Sequence, residues 1–420
     1  MSKYEKYKPS GIEWIGEVPE HWKVKHLKRY LNFYNNIRIP LSSEERADLE
    51  NIYDYYGASG VIDKVDRYLF DGDYILIGED GANLLDRNSP LAFKASGKFW
   101  VNNHAHILKP INGSIDYYIY FLENIDFTVF ITGSAQPKLT IEELSGVRIV
   151  VPPTDEQLTI ANFLNAETQK LDRLITNKKV QATKLKELRQ IEINNAVTKG
   201  LNPDVELKDS GIDWLGKIPK HWEVKRLKNV TYINQEVINE KTSPDYELKY
   251  IDIGNVSSNG EFIELQEMTF SEAPSRARRK LRHNSIILST VRTYLRAIAF
   301  LQNPDANIIA STGFAVIDAF ENLFDAKYLF YQMTSQIVVE RVIAYSEGVS
   351  YPAISSTTLG DMKIILPPKN EQEIISNHLE RRTNEIDKLI KNIEEQIEKL
   401  QELRKIKIYE AVTGKIKVSA

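Results

Sequence analysis

The sequence predicts an α+β chain: two pseudo-symmetric, mixed α/β domains separated by two long helices that pair as a coiled coil. Three observations carry this. The stretch from Pro152 to Lys199 returns between Pro367 and Lys415, displaced by 215 positions. The motif Ser10-Gly11-Ile12-Glu13-Trp14-Ile15-Gly16 returns as Ser210-Gly211-Ile212-Asp213-Trp214-Leu215-Gly216, displaced by 200. Between these landmarks lie two β-rich regions that hardly resemble each other. Repeats of this size imply duplication and a pseudo-symmetric structure.

The repeated stretches read as helices. Each opens with a proline pair, Pro152-Pro153 and Pro367-Pro368, which blocks helix upstream. Asp155 and Asn370 then suit N-caps. Apolar residues recur by sevens, with Leu164, Leu171 and Leu185 on one register and Leu174 and Leu188 on the other. The second copy places Leu379, Ile386, Ile393 and Leu400 against Leu389 and Leu403. Sustained heptads mark a coiled-coil seam. Polar residues interrupt both seams at matched places, Glu167 with Arg382 and Gln181 with Gln396. At 1.5 Å per residue, helices of ~43 residues span roughly 65 Å, the length of a spacer.

The rest follows in order. Pro19, His21-Trp22 and Val24-Lys25 return as Pro219, His221-Trp222 and Val224-Lys225. Trp14, Trp22, Trp214 and Trp222 read as packing residues that pin this segment to a core. Tyr74–Ile77, Ala105–Leu108, Ser285–Ser289 and Phe314–Ile317 read as strands. Helices are expected from about Asp116 and Asp325. Glycine loops follow, Gly133-Ser134-Ala135-Gln136-Pro137 and Gly348-Val349-Ser350-Tyr351-Pro352. The divisions are 1–150 and 201–365 for the two domains, 151–200 for the central helix and 366–420 for the distal helix. By pseudo-symmetry, the end of the second helix near Thr413 should meet the motif at Ser10, as antiparallel helices require.

Composition bounds the chemistry. The chain has 420 residues, 42% hydrophobic and 27% charged, as in globular proteins generally. No apolar run reaches membrane-spanning length, and there is no cysteine for disulfides or thiolate metal sites. A cytoplasmic location is the expectation. The net charge of −4 requires any nucleic-acid role to rest on local patches or on partner subunits.

Catalytic motifs are missing. The Pro-Pro pairs lack the polar and aromatic flanks of an adenine methyltransferase motif, and no dinucleotide or Walker loop occurs. Pro244–Lys249 resembles a nuclease motif only superficially. His104 and His106 have the spacing of two ligands on a strand face but no accompanying carboxylate or thiol signature, so hydrogen bonding is the expected role. What remains is binding. Arg276, Arg278, Arg279, Lys280, Arg282, Arg292 and Arg296 fall together with no acid among them. Arg87, Lys94, Lys98 and Lys109 fall in a second acid-free stretch with Trp100, Asn102, Asn103, His104 and His106 interleaved. Such clusters supply phosphate contacts, and Arg and Asn read base edges.

The duplicated Ser-Gly-Ile-x-Trp-x-Gly…Pro-x-His-Trp motif, the Gln136-Pro137 loop with its Tyr351-Pro352 counterpart, and Pro-Pro-x-x-Glu-Gln at each helix start resemble the specificity subunits of type I restriction–modification enzymes. Asn102-Asn103-His104-Ala105-His106 also looks like a stretch common in their target domains. The resemblance covers nearly the whole chain. It implies two target-recognition domains, each reading half of a bipartite double-stranded DNA site, with antiparallel helices setting the gap. It implies a non-catalytic subunit that docks two methyltransferase subunits and serves restriction subunits. No cofactor is expected in this chain; S-adenosylmethionine, ATP and Mg are expected on partners. The expected DNA contacts are Arg87, Lys94, Lys98, Asn102, Asn103, Gln136 and Lys138 in the first domain. In the second they are Arg276, Arg278, Arg279, Arg292, Thr293, Tyr294, Arg296 and Tyr351. The competing expectation is a coiled-coil scaffold whose variable domains bind protein ligands.

Overall fold

The computed structural model describes residues 2–80, 83–87, 89–131, 137–257 and 260–419. The chain forms two compact units, residues 1–179 with 395–420 and residues 180–394. Both unit boundaries fall inside the long helices.

Each unit carries the same two four-stranded sheets. In the first unit the strands are β1 (Leu31–Phe33), β2 (Tyr53–Gly57), β3 (Gly60–Val65), β4 (Phe70–Asp71), β5 (Tyr74–Gly78), β6 (Ala92–Ala95), β7 (Lys98–Val101) and β8 (Ala105–Pro110). Their orders are β1-β8-β5-β6 and β3-β2-β7-β4. The second unit contributes β9 (Thr231–Ile233), β10 (Glu247–Ile251), β11 (Gln266–Thr269), β12 (Ala277–Lys280), β13 (Ser285–Ser289), β14 (Ile298–Leu301), β15 (Ile308–Ser311) and β16 (Phe314–Ala319). Their orders, β9-β16-β13-β14 and β11-β10-β15-β12, repeat the first unit strand for strand. Even the single parallel pairing in each, β2 with β7 and β10 with β15, is shared. All four strands read from the sequence are present.

The apolar runs of β5 and β13 are buried along their length because both faces are covered. On one face lies a helix: α1 (Ile115–Glu123) in the first unit and α3 (Ala326–Thr334) in the second. Ser114 and Asp325 cap them, each accepting from the third helical amide. Tyr117 and Tyr328 are fully buried at matched places, and each hydroxyl donates to a carbonyl near a long-helix end, Val412 at 3.2 Å and Val197 at 3.1 Å.

The long helices are α2 (Thr154–Lys199) and α4 (Lys369–Val412). They start directly after their prolines, with Gln157 N donating to Pro153 O and Gln372 N to Pro368 O. Asp155 and Asn370 therefore lie within the first turn and are not the caps the sequence suggested. As a carboxylate there, Asp155 complements the helix dipole. Within each unit the two helices run antiparallel. Asp172 and Glu167 meet Arg404 and Lys407 in the first unit, and Lys186 and Arg189 meet Glu394 and Asp387 in the second.

The seam differs from the expected one. Leu164 and Leu171 are buried as read, but their partners are Thr168, Ile175 and Ala182, while Leu174 and Leu188 are exposed. Likewise Leu379 and Ile386 are joined by Thr383 and Ile390, while Leu389 and Leu403 face outward. Leu185, Ile393 and Leu400 are half-buried. A heptad can close by a step of three or of four, and leucine favoured three. The domain helix decides for four: the Tyr120 hydroxyl lies 2.9 Å from Thr168 Oγ1, and that of Tyr331 lies 3.2 Å from Thr383 Oγ1.

The repeated motifs meet in space. Trp22 and Trp222 are fully buried, but Trp14 is 37% exposed, so only part of the tryptophan set packs as expected. His21 Nε2 lies 2.8 Å from Glu156, and His221 Nε2 lies 2.6 Å from Glu371. The neighbouring glutamines are buried and each binds backbone from two sides: Gln157 holds Pro152 O and Ser114 N, and Gln372 holds Pro367 O, Leu323 O and Asp325 N. Pro-Pro-x-x-Glu-Gln is thus a clamp between helix start, opening motif and domain helix. At the other end, Tyr7 Oη donates to Gly414 O and Lys415 Nζ to Ile15 O and Glu17 O, which places the end of α4 beside the Ser10 motif.

Candidate nucleic-acid interface

The basic cluster of the second unit centres on the hairpin β13–β14. Its tip is a short turn, Thr293–Leu295, flanked by Arg292 at φ 50° and Arg296 at φ 56°. Both are non-glycine residues in the left-handed region, which costs energy and persists only when the surroundings enforce it. Here they do. Arg292 N donates to Pro352 O at 2.8 Å, Ile354 N to Thr290 O at 2.8 Å, and Thr293 Oγ1 lies 2.8 Å from Ser346 Oγ. The Gly348–Pro352 loop is therefore laid against the tip. It brings Tyr351, 64% exposed, under the Arg292 guanidinium, 4.6 Å from ring centre. Tyr294 and Val349 are exposed beside them. Thr293, read as a DNA contact, is 3% exposed; it supports the tip from within.

Of the other arginines, Arg276, Arg278 and Arg282 have partners, while Arg279 Nε is buried without one. Arg276 bonds Asp252 at 2.6 Å and Tyr250 Oη at 3.2 Å. Arg282 pairs with Glu236. Arg278 donates to Ala277 O and lies over the Phe270 ring. Arg279 is half-buried in β12, and burial lowers its pKa from the ordinary value. Arg278 and Arg279 line a shallow cleft with Val237–Lys241 and Thr312 on the edge of the second sheet.

The equivalent tip of the first unit joins β5 to β6. Its frame is the same: Leu139 N donates to Glu79 O at 2.8 Å, as Ile354 does to Thr290. Its chemistry is different. Glu79, 8% exposed, binds Arg38 and Lys138, the latter at 3.2 Å, and lies 3.8 Å from His106 Nδ1. Burial pushes the Glu79 carboxyl up, but hydrogen bonds from Arg38 and Lys138 and the nearby His106 and Arg38 outweigh it and hold the pKa below the ordinary value. His106 is wholly buried, with Nε2 2.7 Å from Leu139 O and Nδ1 2.7 Å from Asn35. His104 instead sits in the turn before β8 and pairs with Asp80 at 2.9 Å. The two histidines are hydrogen-bonding residues.

The remaining first-unit candidates scatter. Arg87 donates to the carbonyls of Glu123 and Ile125 and so closes the end of α1. Lys94 pairs with Asp73 at 2.8 Å, and Lys98 lies over Tyr68. Asn102 is buried, its Oδ1 accepting from His104 N at 2.8 Å. Asn103 is exposed, and its carbonyl accepts from Arg38. Gln136 lies outside the described residues. Arg38, Glu79 and Asp80 lie outside the acid-free stretch that starts at Arg87, and nothing local in the sequence links them to it.

Known proteins match this arrangement. A family model described as the type I restriction modification DNA specificity domain matches residues 19–187 and again 219–399. A putative type I restriction enzyme specificity subunit of Haemophilus influenzae is 26% identical over 375 residues, 89% of this chain and 88% of the relative. A putative MjaX specificity subunit of Methanocaldococcus jannaschii is 23% identical over 96% of both chains. A solved chain from work on assembly and conformational transition of the type I R-M system superposes with a TM-score of 0.66 at 15% identity, over 95% of this chain and 99% of that one.

Proposed function

The chain belongs to the type I restriction–modification DNA specificity family, and from that premise we propose that it directs methylation by reading a bipartite DNA site, one half per unit. The observation that carries this reading is the pairing of one repeated eight-strand framework with two unlike hairpin tips. A scaffold duplicated for protein binding has no need of tips that differ so completely in charge. A reader of two unrelated half-sites does.

The chain itself supplies binding and orientation. Its exposed bases and aromatic residues contact phosphates and base edges. Two methyltransferase subunits bring S-adenosylmethionine and the methyl-transfer chemistry to adenines. Restriction subunits, where present, bring ATP and Mg. The assembly acts in the cytoplasm, where its DNA is. Within each half, the candidate contacts are Arg292, Tyr294, Arg296, Tyr351, Arg276, Arg278 and Arg279 in the second unit, and Lys94, Lys98, Asn103, Gln136 and Lys138 in the first. The paired helices fix the gap between half-sites.

Long-read mapping of adenine methylation, in a host with and without this gene beside its methyltransferase gene, tests the reading. A new two-part motif with a fixed gap is the expected result. Absence of any new motif with the methyltransferase expressed would return the scaffold reading. Four residues inserted in each long helix, about 6 Å of added rise, should widen the gap by one or two base pairs.

A further inference from the structure

We propose that Arg292, with Arg296 beside it, reads a guanine in the half-site bound by the second unit. The inference rests on the DNA reading above and adds the base.

Elimination comes first. Of the arginines in the basic cluster, Arg276, Arg278 and Arg282 already donate to Asp252, Ala277 O and Glu236, and Arg279 is half-buried. Among the described residues, the Arg292 and Arg296 guanidinium groups have no hydrogen-bond acceptor. Among the described residues, the first unit offers no such group at its tip, since Arg38 and Lys138 are held by Glu79, and His104 by Asp80.

Geometry comes second. A residue that only meets a phosphate needs reach and charge, and flexible lysines serve as well. Arg292 is instead fixed at both ends. Its backbone is locked at φ 50° by the bond from its amide to Pro352 O, and its guanidinium carbon lies over the Tyr351 ring, 4.6 Å from the ring centre. A second left-handed arginine at φ 56° closes the same turn. Such strain is retained where a group must be aimed. A donor-only fork held in one orientation matches the paired acceptors O6 and N7 of guanine in the major groove. Adenine offers a donor beside its acceptor and does not match.

The test uses the assembled methyltransferase complex and methylation mapping. Arg292→Gly is the informative variant, because glycine adopts φ 50° freely and removes the side chain without disturbing the turn. The wild-type motif should contain a guanine, in one half only, whose discrimination falls about tenfold or more in Arg292→Gly. Arg292→Lys should not restore it, and the other half should be unchanged. Arg296→Gly should weaken the same base or its neighbour. A uniform loss of methylation at all sites, restored by Arg292→Lys, would make Arg292 a phosphate contact and overturn the proposal. So would an unaltered motif in Arg292→Gly. Absence of a two-part motif in the wild type would instead sink the DNA reading itself.

Discussion

The two hairpin tips, one after β5 and one after β13, occupy the same place in the same framework and hold their charges differently. In the first, a buried carboxylate gathers Arg38, Lys138 and His106 into one network. In the second, two arginines stand free on a strained turn beside an exposed tyrosine. The frame beneath is conserved down to single hydrogen bonds, Leu139 N to Glu79 O and Ile354 N to Thr290 O, both 2.8 Å. The lesson is that the framework tolerates either solution because backbone bonds hold the tip, which leaves the side chains to recognition.

If the frames are equivalent, equivalent substitutions should cost the same. Ile175→Ala and Ile390→Ala, each 7% exposed, should both lose about 3 kcal/mol of stability in chemical unfolding. Their neighbours Leu174→Ala and Leu389→Ala should lose less than about 0.5 kcal/mol. Equal losses for isoleucine and leucine would mean the seam is misassigned.

The helix ends should separate the units. Gly414 and Gly200 have φ 72° and 74°, but a Cβ on Gly414 would sit 2.4 Å from Pro19 Cδ, whereas one on Gly200 would first meet Trp222 at 3.2 Å. Gly414→Ala should cost about 2–3 kcal/mol, since a clash with rigid proline adds to left-handed strain, and Gly200→Ala about 1 kcal/mol. Thermal unfolding of both variants would show the order, and a reversal would break the comparison at this point.

A pH-dependent difference concerns the Glu79 network. Glu79→Gln should cost about 2 kcal/mol at neutral pH, because the largely buried Arg38 loses its charged partner. Because the folded carboxyl pKa is depressed, that contribution is present above the unfolded value of about 4.3 and vanishes as pH falls through the folded one. Wild type and variant should therefore converge in stability in acid. A difference that does not shrink as pH is lowered would remove the ion network as its cause. No corresponding pH dependence is expected from Thr290→Val in the second unit, which has no carboxylate there.

Duplication, the long helices, the β-rich domains and the basic cluster were legible in the sequence, because heptad spacing, proline pairs and repeated motifs are local signals. Tyr74–Ile77 and Ser285–Ser289 announced their strands by apolar runs between turn residues. That the two domains share one strand order was not legible, since pairing depends on contacts far apart in sequence and the side chains had diverged. The seam was half legible: Leu164 and Leu379 were evident, but the step to Thr168 and Thr383 was settled by tyrosines on another helix. Charge was legible as composition alone. Which arginines are free is decided by partners such as Asp252 and Glu236, which the fold brings in from distant strands and turns. A sequence records where a cation is; only folding decides whether an acid reaches it before a ligand does.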